Sequence, residues 1–171
     1  MITNPTGIDI YIQNLQTQFL ANLFSGKLYS SNGRAFMNER NGMLPEVYLG
    51  VNEYGDVFTD DAHYDAISFF VVGSSQEFDY QYSTANVSIY FFVNLSTLFS
   101  YTHRAVEEVH LLVLKEIDKA NIWKVLRLIT GRDAINKFAI SKPELLDMQP
   151  YYCFKFETSI NYKLSSHKSC I

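Results

Sequence analysis

Polar and apolar positions alternate almost without error from Tyr151 to Lys163. One row is Tyr152, Phe154, Phe156, Thr158, Ile160 and Tyr162; the other is Tyr151, Cys153, Lys155, Glu157, Ser159, Asn161 and Lys163. Successive strand side chains point to opposite faces, so this period of two predicts a strand with one buried aromatic face and one wet face. At about 3.3 Å per residue it extends roughly 40 Å, close to the diameter that size scaling gives a globule of this length. The strand therefore crosses the whole domain, bends or reaches past it, and it is a candidate for subunit contact as well as for core.

A period near 3.6 appears twice. Ile8, Ile12, Leu15, Phe19, Leu20 and Leu23 recur at helical spacing and Gly26 follows as a C-terminal cap, which predicts a helix over 8–24. A second main helix is predicted from near Thr102, with Val106, Val109, Val113 and Ile117 along one stripe and Leu112 beside it. Leu111 and Leu114 widen its apolar surface, so it is expected to be covered on more than one side. A shorter helix is expected over 122–130, closed by Gly131.

Three further strands are expected at 46–51, 66–72 and 86–94. The middle one, Ile67-Ser68-Phe69-Phe70-Val71-Val72, is apolar on both faces and so central. In the third, Val87, Ile89, Phe91 and Val93 mark the inner row. Residues 26–44 carry the turn dipeptides Asn32-Gly33 and Asn41-Gly42 and read as a hairpin or an ordered arm. Phe78-Asp79-Tyr80-Gln81-Tyr82 either lengthens the sheet or forms an exposed loop. The expected fold is α+β (mixed α/β): a mainly antiparallel sheet of about four to five strands with two main helices packed on one face. It occupies a single domain, 1–171, with a flexible tail at 165–171.

Composition narrows the function more than the fold. The net charge is -4 and no run of Lys and Arg occurs, so the electrostatic footprint of a tight DNA binder is missing. A channel that DNA slides through would tolerate a neutral or acidic lining. Aromatic content is high at 15%, which suits both a strand-rich core and half-wet interfaces. The two cysteines, Cys153 and Cys170, read as free thiols in a reducing compartment. The N-terminus lacks a secretory leader pattern and no apolar run is long enough to span a bilayer, so no membrane role and a cytoplasmic site of synthesis are expected.

No catalytic, cofactor or metal site is assigned. Asp60-Asp61-Ala62-His63-Tyr64-Asp65 groups carboxylates with an imidazole, but it lacks the glycine and distal glutamate of a calcium loop and a second His or Cys for zinc. Glu107 and His110 have the spacing of a di-iron Glu-x-x-His element without its second copy. Gly73-Ser74-Ser75 follows a strand, but the Gly-x-Ser-x-Gly elbow is absent. A small metal-dependent enzyme and a monomeric or dimeric bacterial binding module stay as alternatives.

The order of elements resembles the fold of phage tail terminator and head-to-tail neck proteins. The likeness is carried by the opening helix Ile8 to Phe24, the strand Phe69-Phe70-Val71-Val72, the helix Ala105 to Ile117 and the closing strand Tyr152 to Lys163. Abundant Asn, Ile, Phe, Tyr and Ser suggest an AT-rich genome, and the whole looks most like a ring protein of a crAss-like Bacteroides phage. That resemblance implies a structural virion component without chemistry: a ring homo-oligomer of about six or twelve copies in the neck or tail. Its partners would be other neck, portal-adaptor and tail proteins, with DNA passing through without sequence-specific binding. From the residues themselves, Glu53, Asp56, Asp60, Asp61 and Asp65 are expected as an acidic loop at a rim or lumen. Lys155, Glu157, Ser159 and Asn161 are expected as an exposed row that meets a neighbour, so reversing the charges of Lys155 and Glu157 should weaken assembly and leave the monomer folded.

Overall fold

A computed structural model describes residues 4–38, 44–50, 53–57, 65–100, 105–140 and 147–164. Helix α1 (Ile8–Asn22) runs into a 3-10 turn (Leu23–Gly26). Strands β1 (Ser30–Asn38), β2 (Leu44–Gly50), β3 (Glu53–Asp56), β4 (Ala66–Asp79) and β5 (Tyr82–Asn94) follow. The short helix α2 (Leu95–Leu98), α3 (Ala105–Lys119), β6 (Trp123–Thr130), the short helix α4 (Arg132–Ile135) and β7 (Tyr151–Lys163) complete the elements of the described residues.

One sheet of seven strands, ordered β3-β2-β1-β4-β5-β7-β6, holds everything together. Every neighbouring pair is antiparallel except β1 with β4. The expectation of four to five strands and two helices is overturned by this sheet of seven strands with four helices. The two main helices do lie on one face. Ile8, Ile12, Leu15 and Phe19 of α1 and Val109, Val113 and Ile117 of α3 share a core with Phe70, Val87, Ile89, Phe91, Phe154, Phe156 and Ile160 of the sheet. The opposite face carries a second, smaller core, in which Ala134, Ile135 and Phe138 of the α4 region cover Ile67, Phe69, Tyr90, Phe92 and Cys153.

Two physical causes account for the extra strands. Residues 122–130 were expected as a helix, yet β6 pairs antiparallel with β7 and shifts register between Val125 and Arg127. One inserted residue breaks the period of two and leaves a spacing that resembles a helix. Residues 26–44 are not an arm, for β1 lies inside the sheet against β2 and β4. Its Asn32-Gly33 pair falls at a register shift instead of a turn. Gln16 of α1 lies over this bulge, in ordinary contact distance of Gly33. Gln16 Nε2 then donates to the Ser31 carbonyl at 2.6 Å. The second turn dipeptide, Asn41-Gly42, and the tail at 165–171 lie outside the described residues.

Strand β7 matches its sequence span residue for residue and pairs along its whole length with β5, from Tyr82 opposite Lys163 to Asn94 opposite Tyr151. It is not an edge. Gly131 lets the chain reverse between β6 and α4: its φ is +61°, a Cβ there would lie 2.7 Å from Asp147 Oδ2, and its N–H donates to the Cys153 carbonyl at 2.8 Å.

Phe19 is the keystone of the main core, its ring stacked on Phe70 and tilted against Phe91 at 5.5 Å between centroids. Phe19→Ala should cost about 3–5 kcal/mol of unfolding free energy in urea denaturation. Tyr80→Ala, at a fully exposed turn, should stay within about 0.5 kcal/mol of wild type.

Candidate functional site

On the α4 face of β7, Lys155 is 3% exposed, with its Nζ 3.4 Å from Glu157 Oε1 and 5.4 Å from the Tyr90 ring centroid. Arg127 of β6 donates to Glu157 Oε2 through Nε at 3.1 Å and approaches it through Nη2 at 3.0 Å. The single carboxylate therefore serves two cations, one buried and one at the surface. Burial first, and then the Glu157 charge, push the Tyr90 hydroxyl up to about 12. Burial first, and then Asp147, push the Cys153 thiol up to about 12 as well, so it stays protonated and is no nucleophile at neutral pH.

The row Lys155, Glu157, Ser159 and Asn161 is thus not uniformly exposed. Lys155 is buried, Glu157 and Ser159 are half-buried, and only Asn161 is exposed, donating to Thr84 Oγ1 at 3.3 Å. The α4 segment covers the first half of the strand and not the second. Lys155 is therefore corrected from a candidate contact to an internal group, and reversing its charge would disturb the fold.

The acidic set also divides. Glu53 and Asp56 belong to the edge strand β3, and Glu53 is exposed. Asp65 is half-buried just before β4, where its carbonyl accepts from the Asn94 N–H at 2.7 Å. Asp60, Asp61 and His63 lie outside the described residues. Among the described residues no group of three or more His, Cys, Asp or Glu comes together to hold a metal ion, and no helix is long and apolar enough to cross a membrane. Gly73-Ser74-Ser75 is no nucleophile elbow but part of β4, at its register shift against β5.

His110 sits under α3, with its Nε2 hydrogen-bonded to Tyr152 Oη at 3.0 Å and its ring 5.0 Å from Phe154. Burial lowers its pKa, only partly opposed by Glu107, so the ring is neutral at pH 7. Glu107 is exposed and does not join it. A second polar joint ties α3 to α1: Gln18 donates to the Glu116 carbonyl at 2.6 Å, and Asn22 to Glu116 Oε2 at 3.1 Å. Lys119 pairs with the same carboxylate. Burial raises the Glu116 pKa, but the hydrogen bonds from Lys119, Gln18 and Asn22 outweigh it and hold the group below the ordinary carboxylate range. Between α1 and β1, Arg34 Nη2 meets Asp9 Oδ2 at 3.2 Å while Asp9 Oδ1, Gln13 Oε1 and Arg34 Nε find no partner. Burial raises the Asp9 pKa, and Arg34 opposes that only in part.

These groups hold elements together, and none pairs a nucleophile with a base. The surface is more informative. Beyond Val72, β4 is exposed on both faces except at Gln76, and with the ends of β5 and β7 it forms a tongue. Phe78, Tyr80 and Tyr82 stand exposed at its tip, Tyr80 at 93%. The root is anchored by Tyr162, whose hydroxyl donates to Gln76 Oε1 at 3.3 Å and whose ring lies 5.7 Å from Tyr11. The residues of this tip were visible in the sequence as an aromatic run, but their strand pairing was not. No protein-family model matches the chain, and no curated protein matches it.

Two outcomes follow from the buried groups. Glu157→Gln should destabilise the fold by about 1–3 kcal/mol, because Lys155 loses its counter-charge, whereas Lys155→Met should be neutral or stabilising; urea unfolding separates the two. For His110 the folded pKa lies below the unfolded one, so the unfolded chain takes up the proton first as pH falls. Its contribution is intact above about pH 6.5 and is lost progressively below it. Thermal melts from pH 7.5 down to 5.5 should show that loss in the wild type and a smaller one in His110→Gln.

Proposed function

We propose that this protein is a structural subunit of a phage neck or tail, assembling as a closed ring between the portal-adaptor complex and the tail and leaving a channel for DNA. The observation that carries the reading is the aromatic tongue. Phe78, Tyr80 and Tyr82 stand in the open at the end of paired strands whose root is anchored to α1. Large exposed rings on a rigid mount are the composition of an interface core, because they bury much area with little rotamer entropy to lose. They would dock on the next subunit or on the protein above or below.

The packing of α1 and α3 on one face of the sheet also supports it. The lack of a basic footprint fits a channel that DNA crosses without being held. The virion, reached after synthesis in the host cytoplasm, is the location this role requires.

Native mass spectrometry and negative-stain microscopy of the purified chain, alone and with portal-adaptor proteins, test the proposal. A closed ring is expected, and replacing Phe78 and Tyr80 together by Ser should weaken it at least tenfold in assembly concentration without changing the melting temperature appreciably. A chain that stays monomeric in both settings would count against the ring.

A further inference from the structure

Among the described residues the sheet ends on two strands that differ in charge, direction and covering. Edge strand β3 carries Glu53 and Asp56 and no base; edge strand β6 carries Lys124 and Arg127 and no acid. Lys124 is opposite Ser159 in register, next to the inward Trp123, which places it on the α4 face of the sheet. Glu53 falls on that face too, two residues from Gly55, which pairs with the buried Val47 of the second core.

The helix face of each edge carries uncovered apolar surface. At the β3 end, Tyr54 packs edge-on against Phe36 and Tyr48, with centroids at 6.2 and 5.6 Å, and all three are exposed. At the β6 end, Leu128 faces the helix side opposite Phe156 and is partly open, and Leu126 at the bulge is 53% exposed. Helix α3 packs against β6, and its Leu111 and Leu114 are exposed as well. They lie on the side of the helix away from Glu116, which faces α1, and Leu111 is 67% exposed. The breadth of the α3 apolar surface is therefore left without a covering element among the described residues.

Strand direction supplies the third observation. Following the pairings, β1, β3, β4 and β7 run one way and β2, β5 and β6 the other. A rotation that carries one copy onto the next while preserving strand direction brings β3 against β6 as an antiparallel pair.

We propose that β3 of one subunit pairs with β6 of the next, so that the sheet continues antiparallel from copy to copy, with Glu53 facing Lys124 on one face and the Phe36-Tyr48-Tyr54 cluster meeting the leucines on the other. The inference rests on the ring reading and names the contact that closes it. The occupant is a second copy of this chain because each edge offers what the other lacks. Pairing β6 with β6 would bring like charges together, as would β3 with β3, and like charges across a sheet repel. The lysine and the bulge on β6 discourage indiscriminate edge pairing and leave an acidic strand as the fitting partner. A contact between two different edges is heterologous, the kind that rotation closes into a ring.

Sedimentation velocity across a concentration series tests this with Glu53→Lys, Lys124→Glu and the double exchange, each checked for an unchanged circular dichroism melt. Each single reversal should raise the midpoint concentration of assembly about three- to tenfold, and the double exchange should bring it back to within about twofold of wild type. A closed oligomer indifferent to all three variants would overturn the edge contact and leave the ring reading standing. A two-fold symmetric dimer as the final state, or a chain that never associates even beside its partner proteins, would overturn both.

Discussion

The structure depends on the placement of β7 between β5 and β6. Every residue of the strand is in register with β5, and its middle is in register with β6 as well. The last strand in sequence is thus the strand that joins β6 to the rest of the sheet, and neither sheet face is complete without it. One side of β7 supplies Phe154, Phe156, Ile160 and Tyr162 to the core under α1 and α3; the other supplies Cys153 to the core under α4. Because non-local pairing must overcome loop-closure entropy before it gains contacts, this strand closes the fold late in the chain and over long sequence separations.

How much of this was legible depends on whether a local period survived. The bounds of β7 and the inner row of β5 could be read because each strand alternates, with one row buried from Phe154 to Tyr162 in β7 and from Ser83 to Val93 in β5. The aromatic row of β7 does bury as its pattern implies. The other row could not be read, since Lys155 is a polar letter in a buried place, and only the α4 segment and the Glu157 carboxylate make that burial tolerable. Strand β6 was hidden by its bulge, and β1 by a turn dipeptide that falls at a register shift inside the sheet. In each case a tertiary contact overrode a local signal.

The candidate site was legible in the same uneven way. Acidic residues along 53–65 were visible, but not that Glu53 stands on an edge strand, because β3 is too short to show a period. The apolar breadth of α3 was visible as Leu111 and Leu114; that nothing in the described chain covers them was not. Sequence supplies the excess of apolar surface, and only topology says whether the chain itself uses it.

The charges fall into two groups by this measure. Lys155, Glu116 and His110 are buried and committed inward, each to a named partner, while the half-buried Glu157 serves Lys155 on one side and the exposed Arg127 on the other. Glu53 and Lys124 stand at opposite margins of one sheet, where each adds little to the stability of a lone chain. Exposed charge of opposite sign on two edges of opposite direction, beside uncovered rings and leucines, makes the two margins of the described sheet complementary to each other. In the proposed repeating assembly that asymmetry would fix which edge meets which and in what direction the next copy is added.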